Sequence, residues 1–230
     1  FGPLYALYAV WFAANGLSAA QISTVFLAWA VFGLVAEVPS GALADRVDRR
    51  RLVASALLLR GVGIGVWLVW PTYPGILIGA ALWAIHSAFA SGAWEALIHD
   101  QLDAVGEREA YGTVMARVGQ ASQGGVAAGI AVATGLLAVG LDIPALGWLT
   151  IAVHVPAMIM ILALPRLARD AEVADDNSLA AWFRTLGEGL RASKGSSTVV
   201  WLLLIGALLE GLFILDEYQP LLGKARGADD

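Results

Sequence analysis

The sequence predicts an all-α membrane protein whose helices cross the bilayer several times. Hydrophobic residues make up 59% and charged residues 14% of the 230 residues, against roughly 45–50% and about 25% in soluble domains. A soluble core of this chain length does not hide so much apolar surface, so the bilayer is the expected solvent. Seven long apolar runs and a one-sided distribution of basic residues support the same fold class.

The apolar runs are mostly close to the roughly 20 residues that a helix needs to cross about 30 Å of hydrocarbon. Only helices and closed barrels satisfy their backbone polar groups in lipid, and these runs are too long for barrel strands. The first run is short, and the chain already begins among apolar residues at Phe1, so we expect a chain trimmed at its start, and at its end too. The predicted spans are Leu4–Ala14, Ile22–Val38, Leu52–Trp70, Ile76–Ile98, Thr113–Val139, Ala145–Leu164 and Val199–Leu215.

The basic residues in the connections predict the orientation. The connections Asn15–Ala20, Pro71–Gly75 and Gly140–Pro144 contain no Lys or Arg. The alternate connections contain ten, and by the positive-inside rule these connections and the N-terminus are cytoplasmic. The ten are Arg46, Arg49, Arg50, Arg51, Arg108, Arg166, Arg169, Arg184, Arg191 and Lys194.

The longest connection divides the chain into three predicted parts. Residues 1–164 form a six-helix bundle, residues 165–198 a cytoplasmic loop, and residues 199–230 the seventh span and the start of a C-terminal bundle. Within the loop, one apolar stripe at helical spacing predicts a helix that lies on the inner membrane surface. The stripe consists of Leu179, Trp182, Phe183, Leu186 and Leu190.

The connection between the second and third spans carries the most specific motif. Gly41 allows a close helix approach or a turn, and Asp45 offers a carboxylate to the backbone N–H groups of a helix start. The arginines hold the turn on the cytoplasmic side and pair with carboxylates. From these physical arguments alone, a tight positive-inside loop remains the alternative. The motif residues are Gly41, Leu43, Asp45, Arg46, Arg49 and Arg50.

This segment resembles the signature loop of the major facilitator superfamily, Gly-x-Leu-Ala-Asp-Arg-x-Gly-Arg-Arg, which lies at the same place between spans two and three. Asp48 stands where the family has its second glycine. The stretch from Ser91 to Asp100 also resembles the end of the fourth span in some bacterial members. The resemblance implies an MFS-type bundle of twelve spans in two six-helix halves, of which this partial chain supplies the N-terminal half and the seventh span.

Placing an ionisable or polar side chain inside a membrane span costs free energy, so each such residue is a candidate for a functional or structural role. Glu95 and Arg117 lie at similar depth and either pair, belong to one inner gate network, or extend separately to the interface. Glu210 and Asp216 are candidates to take up a proton or bind a cationic solute, with surface exposure the alternative for Asp216. His86 and His154 are expected in helix contacts. The intramembrane candidates are Glu37, Arg60, His86, Glu95, Arg117, Gln120, Glu210 and Asp216.

The resemblance implies a secondary active transporter of a small solute, by alternating access, with drug or metabolite efflux as one form. The implied partners are the lipid bilayer and a small-molecule substrate, with proton coupling an option. We expect a monomer in the cell (inner or plasma) membrane, without cofactor, metal or nucleic acid, and no enzyme motif is present. The alternative is a seven-helix receptor or another non-transport membrane protein. A retinal protein is disfavoured because Lys194 and Lys224 lie outside all spans.

Overall fold

The computed structural model describes residues 2–44 and 47–167 and, beyond them, residues 197, 198, 201 and 205. The chain divides into two compact units, Phe1–Asp175 and Asp176–Asp230, and the helices named below belong to the first. Among the described residues of this unit every regular element is helical, including a short 3-10 helix, Arg108–Ala110. The α-helices are α1 (Tyr8–Ala14), α2 (Ala19–Ala44), α3 (Arg49–Val69), α4 (Tyr73–Ala104), α5 (Tyr111–Ala138) and α6 (Ile143–Ala163).

The five helices α2 to α6 are long and apolar enough to cross a membrane. This confirms the predicted all-helical membrane fold. The first predicted span, Leu4–Ala14, is an α-helix only from Tyr8. Residues 3–7 form turns, in which backbone hydrogen bonds such as Tyr5 N–H to Gly2 O join residues three apart in sequence. The seventh predicted span lies outside the described residues except for isolated positions, so the total of seven spans stays a prediction.

The helix ends follow from local sequence. The carboxylate of Asp142 accepts a hydrogen bond from Ala145 N at 2.9 Å and caps α6. Proline stands in the first turns of α4 and α6, where its missing N–H costs nothing. Three of the helices are followed by a glycine in the left-handed region, which ends a helix with little strain. These are Gly16, Gly106 and Gly140, with φ of 86°, 76° and 90°.

The packing is centred on α4, which contacts α3 and α2 most extensively, while α3 also packs on α6. Two glycines allow α3 and α4 to approach closely. A methyl group added at Gly63 would lie 2.8 Å from the carbonyl oxygen of Gly79, and one at Gly79 would lie 2.6 Å from that of Gly63. Trp67 closes this contact by donating from its indole to Ile76 O at 3.0 Å. Small residues serve the same purpose in many membrane helix pairs.

Aromatic rings join α1 to this crossing. The ring of Trp67 lies 4.9 Å from Phe12, 5.7 Å from Tyr8 and 5.2 Å from Trp83, centroid to centroid. Tyr8 is also 5.4 Å from Trp83. Ring pairs at these separations add attraction beyond the area they bury. The short helix α1 is therefore held in the bundle chiefly by its aromatic face.

Helix α5 has few contacts with the rest of the described bundle. Ala133 is its one buried residue in the part of the chain that the structure describes. Methyl groups added at Gly119, Gly124 and Gly125 would meet no atom of the described residues within 4 Å. Gly129 does have a neighbour, the backbone of Gly2, at 3.5 Å. The small-residue face of α5 is thus largely open within this unit.

Candidate functional site

The signature segment joins α2 to α3. Gly41 and Leu43 lie in the last turn of α2, whereas Asp45 and Arg46 lie outside the described residues, as do Glu210 and Asp216. Leu43 packs against a buried apolar cluster formed by the N-terminal part of α3 and the C-terminal part of α4. The cluster consists of Leu52, Val53, Ala93 and Leu97. The leucine of the motif therefore attaches the end of α2 to its neighbours.

Asp48 is the N-cap of α3. Its carboxylate accepts hydrogen bonds from the backbone N–H groups of Arg50, at 3.0 Å, and Arg51, at 3.4 Å. It also accepts from the Arg50 side chain, Nη2 to Oδ2 at 2.7 Å and Nε to Oδ1 at 3.2 Å. Burial raises the pKa of this carboxyl, but the Arg50 guanidinium and the two backbone N–H groups outweigh burial and hold the pKa below its ordinary value. Asp48 therefore caps the start of α3, while the capping role expected of Asp45 lies outside the described residues.

Arg49 and Arg50 connect the start of α3 to two other helices. Arg49 Nη1 donates to the carbonyl oxygen of Ala96 at 3.2 Å and forms an ion pair with Asp100, both on α4. Arg50 Nη1 donates to the carbonyl oxygen of Leu164, directly after α6. Both arginines are at least nine-tenths buried. Consecutive arginines therefore tie the start of α3 to the C-terminal ends of α4 and α6.

A second set of polar groups lies exposed on the surface of the bundle. Glu37 of α2 accepts a hydrogen bond from Ser91 of α4, Oγ to Oε1 at 3.1 Å. Glu95 of α4 and Arg117 and Gln120 of α5 are exposed. Within the described ranges no ion pair joins Glu95 to Arg117, so their membership of one gate network stays a prediction.

Arg60 lies at the middle of α3 and is 8% exposed. Its guanidinium carbon is 4.7 Å from the centroid of the Trp83 ring on α4. A cation over an indole face is attracted by the ring quadrupole, and the attraction grows when water is excluded. Burial and stacking thus place a cation inside the bundle, midway along α3.

Two buried histidines lie within electrostatic reach of Arg60. His86 Nδ1 is 2.8 Å from Ala56 O on α3. His154 Nδ1 is 2.6 Å from Thr150 O on its own helix α6. Because a carbonyl oxygen only accepts, both Nδ1 atoms carry a proton. The His86 bond joins α4 to α3, whereas the His154 bond stays within α6.

Sequence reasoning missed three residues that the structure brings into these clusters. Asp48 stands out in the sequence only as a departure from the family pattern, although an acidic residue directly before a helix is a recognisable cap signal. Asp100 lies at the end of the fourth predicted span, and no pattern there indicates its partner. Thr150 accepts a buried hydrogen bond from Leu4 N at 3.1 Å, and the apolar run around it offers no signal.

The family comparison covers almost the whole chain. The profile of the Major Facilitator Superfamily matches residues 2–229. Comparison with curated proteins and with solved structures gives no match. The apolar spans, the turn held by Arg49 and Arg50, and this match agree, and the chain belongs to the Major Facilitator Superfamily, whose members are membrane transporters.

Proposed function

We propose that this chain forms the N-terminal bundle of a secondary active transporter that moves a small solute by alternating access. The observation that carries the proposal is the pair of ties made by Arg49 and Arg50 at the cytoplasmic end of α3. In alternating access, two bundles rock against each other around a site near the bilayer midplane. Such rocking requires each bundle to move as a unit, and the two arginines hold three helix ends together.

The exposed polar side chains support a water-filled path on one face of this bundle. Glu37 and Glu95 lie in helices long enough to span the membrane, and both are exposed in this unit. Charged groups inside a span almost always face a bundle interior or a watery cavity, because lipid does not solvate them. We place these carboxylates in a cavity shared with the second bundle, where they take up protons and contact a hydrophilic solute.

The remaining features follow from this proposal. The protein is a monomer in the cell membrane, with its N-terminus and the α2–α3 turn in the cytoplasm. It exports a drug or metabolite in exchange for protons, and Glu37 and Glu95 are the proton-binding groups among the residues that the structure describes.

Transport is tested with the full-length protein reconstituted into proteoliposomes. An imposed proton gradient and a panel of cationic, anionic and neutral solutes are used, with solute flux and internal pH as readouts. We expect solute flux that depends on the gradient, and at least about a tenfold loss of proton-coupled flux in Glu95→Gln. Asp103→Asn, an exposed acid on the same helix, is the matched control and should keep full flux. Equal fluxes in protein-free and protein-containing liposomes for the whole panel would refute the proposal.

The water path has an independent test by cysteine substitution, because residues 1–230 contain no cysteine of their own. A Ser91→Cys variant of the full-length protein should react with a membrane-impermeant maleimide and be protected by the transported solute. Met160→Cys, at an exposed apolar position on α6, should face lipid and react slowly. Equal reaction rates at the two positions would contradict the proposed path. Arg51→Cys should react only when the cytoplasmic side of the membrane is accessible.

A further inference from the structure

The end of α6 is held by side chains of two other helices. The helix ends at Ala163, and the next residue, Leu164, has extended backbone angles, with φ −57° and ψ 148°. Pro165 explains this ending, because a proline disfavours helical angles in the residue before it. The carbonyl groups at the end of a helix have no partner within the helix, so they must find one elsewhere.

Two carbonyl groups at this end accept hydrogen bonds from side chains. Arg50 Nη1, at the start of α3, donates to Leu164 O, and Gln101 Nε2, near the end of α4, donates to Pro165 O at 3.0 Å. Both carboxylate oxygens of Asp48 accept from the Arg50 side chain and fix its direction. Because a carbonyl oxygen only accepts, the amide nitrogen of Gln101 must face Pro165.

Apolar and charged contacts support the same junction. Ile161 and Leu164 pack against the same buried apolar cluster as Leu43, which belongs to α3 and α4. Gln101 lies in the polar last turns of α4, beyond the predicted fourth span. These turns also carry Asp100, which forms an ion pair with the start of α3. The extension of α4 beyond its apolar run therefore supplies contacts to the start of α3 and the end of α6.

We propose that Gln101 is a positioning residue for transport, which fixes the first residues after α6 to the end of α4. Without this bond, a displacement of the chain beyond Pro165 acts mainly on the end of α6 and loosens its last turn. With the bond, the displacement acts on several helix ends together. This role rests on the proposed alternating-access function, in which the chain after α6 leads to the second bundle. The attachment itself does not depend on transport.

The attachment is tested by electron paramagnetic resonance on the full-length protein, with a nitroxide on Arg166→Cys, an exposed position directly after Pro165. Gln101→Met keeps the length of the side chain and removes its N–H donors. The ratio of mobile to immobile nitroxide should then rise about threefold to tenfold, since one neutral hydrogen bond is lost. Gln101→Lys, which keeps a donor, should restore most of the immobile signal. Gln123→Met, the same substitution at an exposed position on α5, is the matched control and should leave the ratio unchanged.

A second nitroxide, on Met160→Cys at an exposed position of α6, separates a local release from a loosened bundle. Its spectrum should be the same in Gln101→Met as in the protein that keeps Gln101. The proposal is overturned if Gln101→Met makes both nitroxides more mobile, or if it leaves the nitroxide at Arg166→Cys unchanged.

The role in transport is tested by solute flux in proteoliposomes. Gln101→Met should lower the maximal rate about threefold or more, the factor expected for one neutral hydrogen bond, and leave the solute KM unchanged. Gln101→Lys should recover the rate. An unchanged maximal rate would refute the positioning role. If the unsubstituted protein transports no solute of the panel, the proposed function fails, while the nitroxide spectra still decide whether Gln101 holds the chain after α6.

Discussion

Replacing Asp48 tests how the start of α3 is stabilised. This residue caps the helix through two backbone N–H groups and binds the Arg50 guanidinium through both carboxylate oxygens. Its side chain is 10% exposed and that of Arg50 is 6% exposed. Solvent therefore screens the interaction little, unlike a surface ion pair. We expect Asp48→Ala to destabilise the protein strongly.

The magnitude follows from two parts. Loss of an N-cap costs about 0.5–2 kcal/mol, and loss of a hydrogen bond to a charged group costs about 1.5–3 kcal/mol. Arg50 keeps its bond to Leu164 O in the variant, which limits the loss. We expect Asp48→Ala to lower the free energy of unfolding by about 2–4 kcal/mol. With Asp48→Gly, which introduces the family residue, the cap part of the loss should fall to a few tenths of a kcal/mol, because glycine is the better N-cap, and the loss of the Arg50 contact remains.

The assay is reversible unfolding of the full-length protein in mixed detergent micelles, followed by far-UV circular dichroism. Asp103→Ala serves as the control, because Asp103 and Arg108 form an exposed pair at 3.9 Å whose removal should cost less than about 1 kcal/mol. If Asp48→Ala and Asp103→Ala unfold at the same detergent concentration, the Asp48 carboxylate does not stabilise α3. If Asp48→Ala lowers the free energy of unfolding and Asp48→Gly does not, Asp48 stabilises the helix as its N-cap only. The contact with Arg50 then contributes nothing measurable.

Three further outcomes are expected. The lowered pKa of Asp48 means that its stabilisation is present above the ordinary value of 3.8 and is lost as the pH falls through the folded-state pKa. The difference in unfolding free energy between Asp48→Ala and the unsubstituted protein should therefore shrink in acid. A difference that stays constant with pH would contradict this. Gly79→Ala should cost about 1–3 kcal/mol, since its methyl group would meet Trp67 at 2.2 Å, whereas Gly92→Ala on the same helix has open space and should be neutral or stabilising in the same unfolding assay. A double-mutant cycle on Arg49→Gln and Asp100→Asn should give a coupling of about 1.5–3 kcal/mol, and independent effects would exclude the tie.

Hydropathy predicted the spans well because it reports the hydrocarbon that each helix must cross. It placed the third span at Leu52–Trp70, and α3 runs Arg49–Val69. It placed the fourth at Ile76–Ile98, whereas α4 continues to Ala104. The backbone hydrogen bonds of a helix can continue beyond the hydrocarbon, where the side chains are polar. Hydropathy therefore did not predict the last turns of α4.

The candidate site was only partly predictable. The free-energy cost of an ionisable side chain inside a membrane span was enough to identify Arg60 and Glu37 as candidate functional residues. It could not separate a cation stacked inside the bundle from a carboxylate on its surface, because both lie in apolar runs with no strong one-sided pattern. The partners of Arg49 and Arg50 come from α4 and the end of α6, which are distant in sequence. Only the packing of three helices brings these groups together.

Adjacent arginines at the start of α3 select different neighbours because a helix rotates about 100° per residue. A substitution in this turn removes one contact and leaves the others in place. An inserted or deleted residue instead rotates the whole group, so that Arg49 would turn away from α4 and Arg50 away from the end of α6. The turn should therefore tolerate altered side chains far better than an altered length, and natural variation here should preserve spacing before identity.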